Sequence, residues 1–393
     1  MSQRLEGRLS QIVRELPPSG IRRFFDLANQ MEDIISLGVG EPDFVTPWRV
    51  REACFYALEQ GYTTYTSNRG MPELREAIAN YLHKYDLHYD PLTEIIVTIG
   101  GSEAIDIAMR TILSPGDEIL IPDPGYVSYY PCAILAGATP VAVTTCASDD
   151  FKLTKEAILG KITEKTKAIM LCFPNNPTGA IMTHSDWQPI VDLILERDLF
   201  VISDEIYAEL TYGEKHVSIA AFPEMKERTV VVSGMSKAFA MTGWRIGYVT
   251  GPEYLIKEML KIHQYTIMCA PIMGQMAALE ALQHGEKDKD AMIKEYDQRR
   301  RLVVEGFRSI GLPCHEPKGA FYAFPDIRNT GLTSAQFAER LLIEGKVAVV
   351  PGEVFGQSGE GFIRCSYATS VKQLETAIER IGLFLKQLDR IEA

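Results

Sequence analysis

A lysine and an arginine near the middle of the chain have surroundings suited to amine chemistry. Residues 229–232, TVVV, are β-branched and apolar on both faces, as in a central parallel strand, and they end at Ser233 and Gly234. Lys237 is therefore expected at the carboxyl end of a buried strand, with Arg245 eight positions later. Burial favours the uncharged form of a lysine, and an uncharged amine can form a Schiff base. Taken alone, Lys237 is better explained as a surface residue of a loop.

Composition limits the kind of protein. The chain has 393 residues, of which 46% are hydrophobic and 23% charged, so it is expected to form two or three globular domains. It contains no apolar run near the roughly 20 residues that span a bilayer and no secretion signal, which predicts a cytoplasmic protein. A net charge of -12 argues against a broad surface for nucleic acid or membrane. The 7 cysteines form no CxxC pair and the 7 histidines have no metal-ligand spacing, so no metal site is expected.

Short apolar runs alternate with helical patterns between residue 95 and about residue 249. The runs lie at 95–99, 119–121, 141–143, 168–172, 200–202 and 229–232. They predict an α/β fold in which a mainly parallel sheet is covered by helices on both faces. Such sheets bind ligands beyond the carboxyl ends of their strands. The polar residues expected at that edge are Gly101, Ser102, Glu103, Asn176, Asp204, Ser236 and Lys237.

The remaining segments predict a second domain. Helical patterns occupy 21–30, 47–60 and 72–85, and the tyrosine-rich loop at 62–70 is typical of a contact surface. A charged helix at 292–309 and an amphipathic final helix indicate a smaller α+β domain. We therefore divide the chain into an N-terminal segment, 1–45, that joins the small domain, a large domain, 46–285, and a small domain, 286–393. Gly38 and Gly40 do not form a dinucleotide fingerprint, because Asp43 occupies the third glycine position.

Four motifs have both a chemical and a purely structural explanation. The stretch GGSEA at 100–104, between a strand and a helix, is either a phosphate cradle or a turn. The stretch PNNPTG at 174–179 is a rigid loop or a plain turn. Asp204, three residues before Tyr207, ends a buried strand, and taken in isolation it is better explained as the N-cap of a helix. Arg364 is either an exposed edge residue or a fork for a carboxylate.

Together these stretches resemble the pyridoxal-phosphate-dependent aminotransferases of fold type I, class I/II. NPTG, DEIY, SK and GWRIGY occur in the family's order and at similar separations, and the resemblance covers nearly the whole chain. The stretches FFDLAN, SLGVGEPDF, AMTGWRIGY and KGAFY are most similar to prokaryotic aromatic or broad-specificity aminotransferases. The resemblance implies pyridoxal 5'-phosphate as cofactor, amino acid and 2-oxo acid substrates, and a homodimer.

The resemblance also implies roles for individual residues. Lys237 would bind the cofactor covalently and move the substrate's proton, Asp204 would pair with the ring nitrogen, and Tyr207 would bind the ring's 3-oxygen. The other implied contacts are Asn176 on the 3-oxygen; Ser236, Arg245 and the backbone of Gly101, Ser102 and Glu103 on the phosphate; Tyr126 stacked on the ring; Gly40, Asn176 and Arg364 on the substrate carboxylate; and Tyr65 on the partner subunit's phosphate. Many relatives have serine or threonine where this chain has Gly234, so the side chain that supplements Ser236 stays open.

The expected reaction is ping-pong transfer of an amino group from an aromatic or bulky apolar amino acid to a 2-oxo acid such as 2-oxoglutarate. Alternatives are an aminotransferase for aspartate or an N-acyl-diaminopimelate, a C–S β-lyase, and a non-catalytic ligand-sensing domain. The last is disfavoured because no basic helix-turn-helix precedes Gly40. Residues considered for reading the substrate side chain are the aromatics Phe24, Phe25, Tyr65 and Tyr126 and the cations Arg22, Arg23 and Arg69.

Overall fold

The structure is a computed structural model that describes residues 5–18, 20 and 31–392. The helix predicted at 21–30 lies outside the described residues. So do the side-chain-reading candidates Arg22, Arg23, Phe24 and Phe25. Among the described residues no helix is both long and apolar enough to cross a membrane.

A seven-stranded sheet forms the centre of the fold. Its spatial order is β2-β8-β7-β6-β5-β3-β4, and β8 alone runs in the direction opposite to the other six strands. The strands are β2 (Ile95–Thr98), β3 (Glu118–Asp123), β4 (Thr139–Thr144), β5 (Thr166–Cys172), β6 (Phe200–Asp204), β7 (Thr229–Gly234) and β8 (Gly247–Thr250). All six predicted runs are strands of this sheet, which confirms the mainly parallel α/β architecture. The sequence prediction did not single out β8.

Helices cover both faces of the sheet. Along the described part of the chain, the α-helices on this sheet and elsewhere are α1 (Gln11–Glu15), α2 (Trp48–Glu59), α3 (Pro72–Leu82), α4 (Gly100–Ile112), α5 (Tyr129–Leu135), α6 (Lys155–Leu159), α7 (His184–Glu196), α8 (Glu253–Thr266), α9 (Ile272–His284), α10 (Glu286–Ser309), α11 (Ser334–Arg340) and α12 (Val371–Glu392). Within β7, Val230 and Val232 pack in the cluster that contains α4, whereas Val231 packs in the cluster that contains α3. Because side chains alternate across a strand, a strand covered on both faces is apolar at every position.

The C-terminal part of the chain builds two smaller sheets. Strands β9 (Tyr322–Ala323), β11 (Val350–Pro351) and β12 (Ile363–Ser366) form an antiparallel sheet in the order β11-β12-β9. Strand β1 (Ile35–Ser36) pairs with β10 (Val347–Ala348), so the residues just before Gly40 contact this part of the chain. The domain boundaries themselves stay a prediction. Helix α10 begins at Glu286, earlier than expected, because Glu286 and Asp288 suit the first turn of a helix.

Candidate active site

A cavity of about 320 Å³ lies at the carboxyl ends of β5, β6 and β7, beside the start of α4. This is the edge at which a parallel sheet places its ligands. The predicted site residues that line it are Gly40, Gly101, Ser102, Tyr126, Asn176, Asp204, Tyr207, Ser236, Lys237, Arg245 and Arg364. Residues from three widely separated parts of the sequence therefore meet in one cavity.

Lys237 points into this cavity from the turn that follows β7. Its Nζ donates a hydrogen bond to the carbonyl oxygen of Gly40 at 2.5 Å. The rings of Tyr207 and Phe321 lie 5.8 and 5.7 Å from the same nitrogen. Burial, and next the nearby Arg364 guanidinium, lower the pKa of the Lys237 amine to about 8. About a tenth of this amine is therefore uncharged, and nucleophilic, at pH 7, far more than for an ordinary lysine.

Asp204 is the last residue of β6, and only 6% of it is exposed. Its carboxylate accepts hydrogen bonds from Tyr129 Oη at 2.7 Å and from the backbone N–H of Ile206 at 3.1 Å. Burial raises the pKa of the Asp204 carboxyl to about 6, although both hydrogen bonds oppose the rise. The following residues form a turn and not a helix, so the helix-cap explanation does not apply. Sequence reasoning missed Tyr129, whose only signal was its place three residues after Tyr126.

Tyr207 and Tyr322 both line the cavity, and their hydroxyl groups meet. Their hydroxyl oxygens are 2.8 Å apart, and both side chains are buried. Burial raises the pKa of Tyr207 well above its ordinary value, so the hydroxyl keeps its proton and remains a hydrogen-bond donor. Tyr322 lies within the stretch KGAFY, which served in the sequence prediction only as part of the resemblance.

Arg364 lies on β12 and is 3% exposed, so it is not an exposed edge residue. Its guanidinium donates to Asn176 Oδ1 at 3.0 Å and to the Gly38 carbonyl at 2.6 Å, while its Nε is buried without a hydrogen-bond partner. The guanidinium stacks on Tyr322, 4.4 Å from the ring centroid. No carboxylate among the described residues pairs with this cation. A buried guanidinium with donors to spare is suited to an incoming carboxylate.

The start of α4 forms one end of the cavity. Gly100 has a φ of +70°, and a Cβ atom there would lie 2.5 Å from Nη2 of Arg245. The helix N-terminus, Arg245 and Ser236 thus present N–H and O–H groups to the same space, as anion sites do. A side chain at Gly234 would clash with the neighbouring strand, since its Cβ would lie 2.8 Å from the Cα of Gly247 and 2.9 Å from the carbonyl oxygen of Ile246.

The structure does not bring two predicted residues, or the candidate cation Arg69, into the cavity lining. The Glu103 side chain turns toward Ile99 and His263 instead. Tyr65 is 79% exposed. Arg69 donates to the carbonyl oxygen of Thr93, which leaves it outside the lining residues.

The family follows from comparison with known proteins. The model for aminotransferase class I and II matches residues 32–381. The chain belongs to this family. The aminotransferase is 57% identical to a putative aminotransferase of Bacillus subtilis, over 96% of this chain and 98% of the relative. It is 47% identical to an aspartate aminotransferase of Pyrococcus abyssi, over 94% and 96%. The solved structure of an aromatic aminotransferase from Pyrococcus horikoshii matches with a TM-score of 0.89 and 46% identity, over 93% and 99%.

The protein is a pyridoxal-phosphate-dependent transaminase, and the cavity fits that cofactor. The anion-binding end at α4 and Arg245 suits a phosphate. The buried carboxyl of Asp204 suits a cationic ring nitrogen, because an ionised carboxylate at that depth requires a positive partner. The amine of Lys237 suits an aldehyde. Each part of the cofactor thus has a chemically matched residue in one cavity.

Proposed function

We propose that this aminotransferase moves the amino group of an aromatic or bulky apolar amino acid to a 2-oxo acid such as 2-oxoglutarate by a ping-pong mechanism. The observation that carries the donor class is the charge and shape of the cavity. Its walls include the rings of Tyr126, Tyr207 and Tyr322, and the Glu41 carboxylate lies at the rim. A large apolar side chain gains roughly 1.5–3 kcal/mol on full burial, whereas an anionic one would meet Glu41.

The cations of the cavity support the same donor class. Among the described residues its lining contains three, Lys237, Arg245 and Arg364, and each of them already has another proposed role. None is left for the distal carboxylate of aspartate. An acceptor with two carboxylates needs a further cation, for which Arg22 and Arg23 stay candidates outside the described residues. That further cation would also bind the distal charge of aspartate or of an N-acyl-diaminopimelate. An aminotransferase for one of these donors is therefore the alternative function.

In the proposed mechanism, residues of this chain bind, orient and move protons. Arg364 binds the substrate α-carboxylate, assisted by Asn176, and so fixes the α-carbon near Lys237. The Lys237 amine, with its lowered pKa, would remove the α-proton of the amino donor and, in the reverse half-reaction, supply a proton to the α-carbon of the new amino acid. With the cofactor bound, Asp204 would keep a proton on the ring nitrogen, and Tyr207 would donate to the ring's 3-oxygen. When bound, pyridoxal phosphate supplies an electron sink conjugated to the α-carbon.

The test of the donor class is kcat/KM for phenylalanine, tyrosine, alanine, aspartate and an acylated diaminopimelate, each with 2-oxoglutarate. We expect the aromatics to exceed alanine by about tenfold or more, from the burial energy above. If aspartate or the diaminopimelate derivative exceeds the aromatics tenfold, the donor class is wrong and the transaminase activity stands. Release of pyruvate and thiol from a cysteine conjugate, without a new amino acid, would support the β-lyase alternative.

Arg364→Lys is expected to raise KM for both the amino acid and the 2-oxo acid by about tenfold or more. An ammonium cannot make the planar two-bond contact to a carboxylate, although the positive charge remains. Steady-state kinetics of each half-reaction measures this effect. Arg340→Lys is a matched control on the surface helix α11, where the side chain contacts Glu344. A KM change for one substrate alone would make Arg364 a side-chain selector.

We also propose that the enzyme is a homodimer in which Tyr65 reaches the partner's cofactor phosphate. Tyr65 is too exposed to serve its own cavity, at 79%. Large apolar side chains are also exposed on the neighbouring surface formed by α2 and α9: Trp48, Phe55 and Tyr56 are 57%, 53% and 54% exposed and line one shallow depression. Exposed apolar surface of this kind is typical of protein–protein interfaces.

A further inference from the structure

The side chain of Glu103 contacts His263, a residue that has no role in the proposed transamination mechanism. Its Oε1 lies 2.5 Å from Nδ1 of His263, which is on α8. His263 is 0% exposed, and its Nε2 has no hydrogen-bond partner. The other carboxylate oxygen, Oε2, accepts the backbone N–H of Ile99 at 2.5 Å. The Glu103 carboxylate therefore links Ile99, the residue before α4, to the fully buried His263 on α8.

This contact acts on the corner that forms the anion-binding end of the cavity. Ile99 is the N-cap residue of α4, and Gly100 follows it in a left-handed conformation, with φ of +70°. The first N–H groups of a helix have no partner within the helix. Glu103 accepts the Ile99 N–H, and the next residues of this corner, Gly101 and Ser102, line the cavity with the first turn of α4.

We propose that Glu103, held by His263, is a positioning residue for the cofactor phosphate. The carboxylate fixes the corner between β2 and α4, and the imidazole fixes the carboxylate and turns its charge away from the phosphate. This rests on the proposed function, in which the start of α4 and Arg245 hold the phosphate. In this proposal the side chain of Glu103 acts by spanning the distance between Ile99 and His263. The resemblance, by contrast, implies a contact of the Glu103 backbone with the phosphate.

The experiment compares the affinity of cofactor-stripped protein for pyridoxal phosphate with its affinity for pyridoxal, which lacks the phosphate. We expect Glu103→Ala to weaken pyridoxal phosphate binding by about tenfold, the usual scale for a lost hydrogen bond to a charged group. Pyridoxal binding should change less than about twofold, because the ring and aldehyde contacts lie elsewhere. General loosening of the fold would weaken both ligands alike and would overturn the proposal.

Two conservative variants separate reach from charge. Glu103→Asp keeps the charge but is one methylene too short to reach both partners, so it should behave like alanine. Glu103→Gln keeps the length and an oxygen acceptor for Ile99, so its preference for the phosphorylated ligand should stay within about threefold of wild type. His263→Asn retains an N–H donor near the position of Nδ1, so this variant should also keep the preference for the phosphorylated ligand. The reverse order, with aspartate normal and glutamine impaired, contradicts the proposal.

Two controls assign a failure to its cause. Arg245→Ala should lower the preference for pyridoxal phosphate whether or not Glu103 acts on the corner. If it does so and Glu103→Ala and Glu103→Asp do not, the inference about Glu103 alone is wrong. If Arg245→Ala has no effect, the placement of the phosphate is wrong and the inference fails with it. Glu258→Ala, on the surface of α8 beside Lys261, should leave both affinities unchanged. If Glu103→Ala does not fold, the aspartate and glutamine pair decides.

Discussion

Replacing Lys237 by alanine is expected to reduce turnover about a thousandfold or more, while the cofactor still binds without a covalent bond. The amine lines the same cavity as Arg364, which we propose holds the substrate, and correctly placed proton transfer contributes a factor of this size. The groups proposed to hold the phosphate and the ring nitrogen are unchanged in the variant. Absorbance titration with the cofactor and steady-state kinetics measure the two effects separately.

The control for this prediction is Lys261→Ala, since Lys261 is exposed and contacts Glu258 on the surface of α8. That variant should keep full activity. Borohydride reduction of the wild-type enzyme followed by peptide mapping should place the cofactor on Lys237. A label on any other lysine, or a Lys237→Ala variant with ordinary turnover, would remove this residue from the mechanism.

The same variant also tests the proposed dimer. In a mixed dimer of Tyr65→Phe and Lys237→Ala subunits, donation of Tyr65 across the interface puts both lesions in one site. The second site is then intact, and about half of the wild-type activity per dimer should remain. Donation within a subunit damages both sites instead, so activity should not exceed that of one Tyr65→Phe site.

The fold was predictable wherever burial on both faces makes a strand continuously apolar. The TVVV run of β7 is an example, because a helix-containing cluster covers each of its faces. Strand β8 was not singled out, since its sequence, GYVT, begins with a glycine that only the close approach of α4 explains. A Cβ atom at Gly247 would lie 2.5 Å from the carbonyl carbon of Gly100.

The position of a site residue was predictable from the sequence where the residue lies at the carboxyl end of a strand. Asp204 ends β6 and Lys237 follows β7, and parallel topology brings strand ends together. Tyr129 and Tyr322 were missed because their roles come from contacts across 75 and 115 residues of sequence, with Asp204 and Tyr207. No local pattern distinguishes such a tyrosine from one that packs in the core. The orientation of the Glu103 side chain likewise depends on a distant partner, His263.

Asp204→Asn is expected to lower kcat about a hundred- to a thousandfold. The amide retains the size of the carboxylate and an acceptor for Tyr129, but it cannot balance a positive charge on the cofactor nitrogen. Asp106→Asn is a matched control, because Asp106 lies on the accessible side of α4 and contacts Arg110. Near-normal turnover of Asp204→Asn would show that this carboxylate is not needed to keep the ring nitrogen protonated.

The same substitution is expected to stabilise the cofactor-free protein. Burial raises the pKa of Asp204 to about 6, against about 3.9 in an unfolded chain, so the folded state favours the protonated acid. Wild type therefore loses stability as the pH rises from about 4 to about 6, by roughly 3 kcal/mol in total, and the loss stays constant above pH 6. Asparagine has no charge to bury and should escape this loss. Urea unfolding of both cofactor-free proteins should show equal stability near pH 3.5 and a more stable variant at pH 8. A difference in stability that does not depend on pH would mean that Asp204 is not buried as an acid. With the cofactor bound, the variant should no longer be more stable than wild type, since the ring nitrogen supplies the missing positive charge.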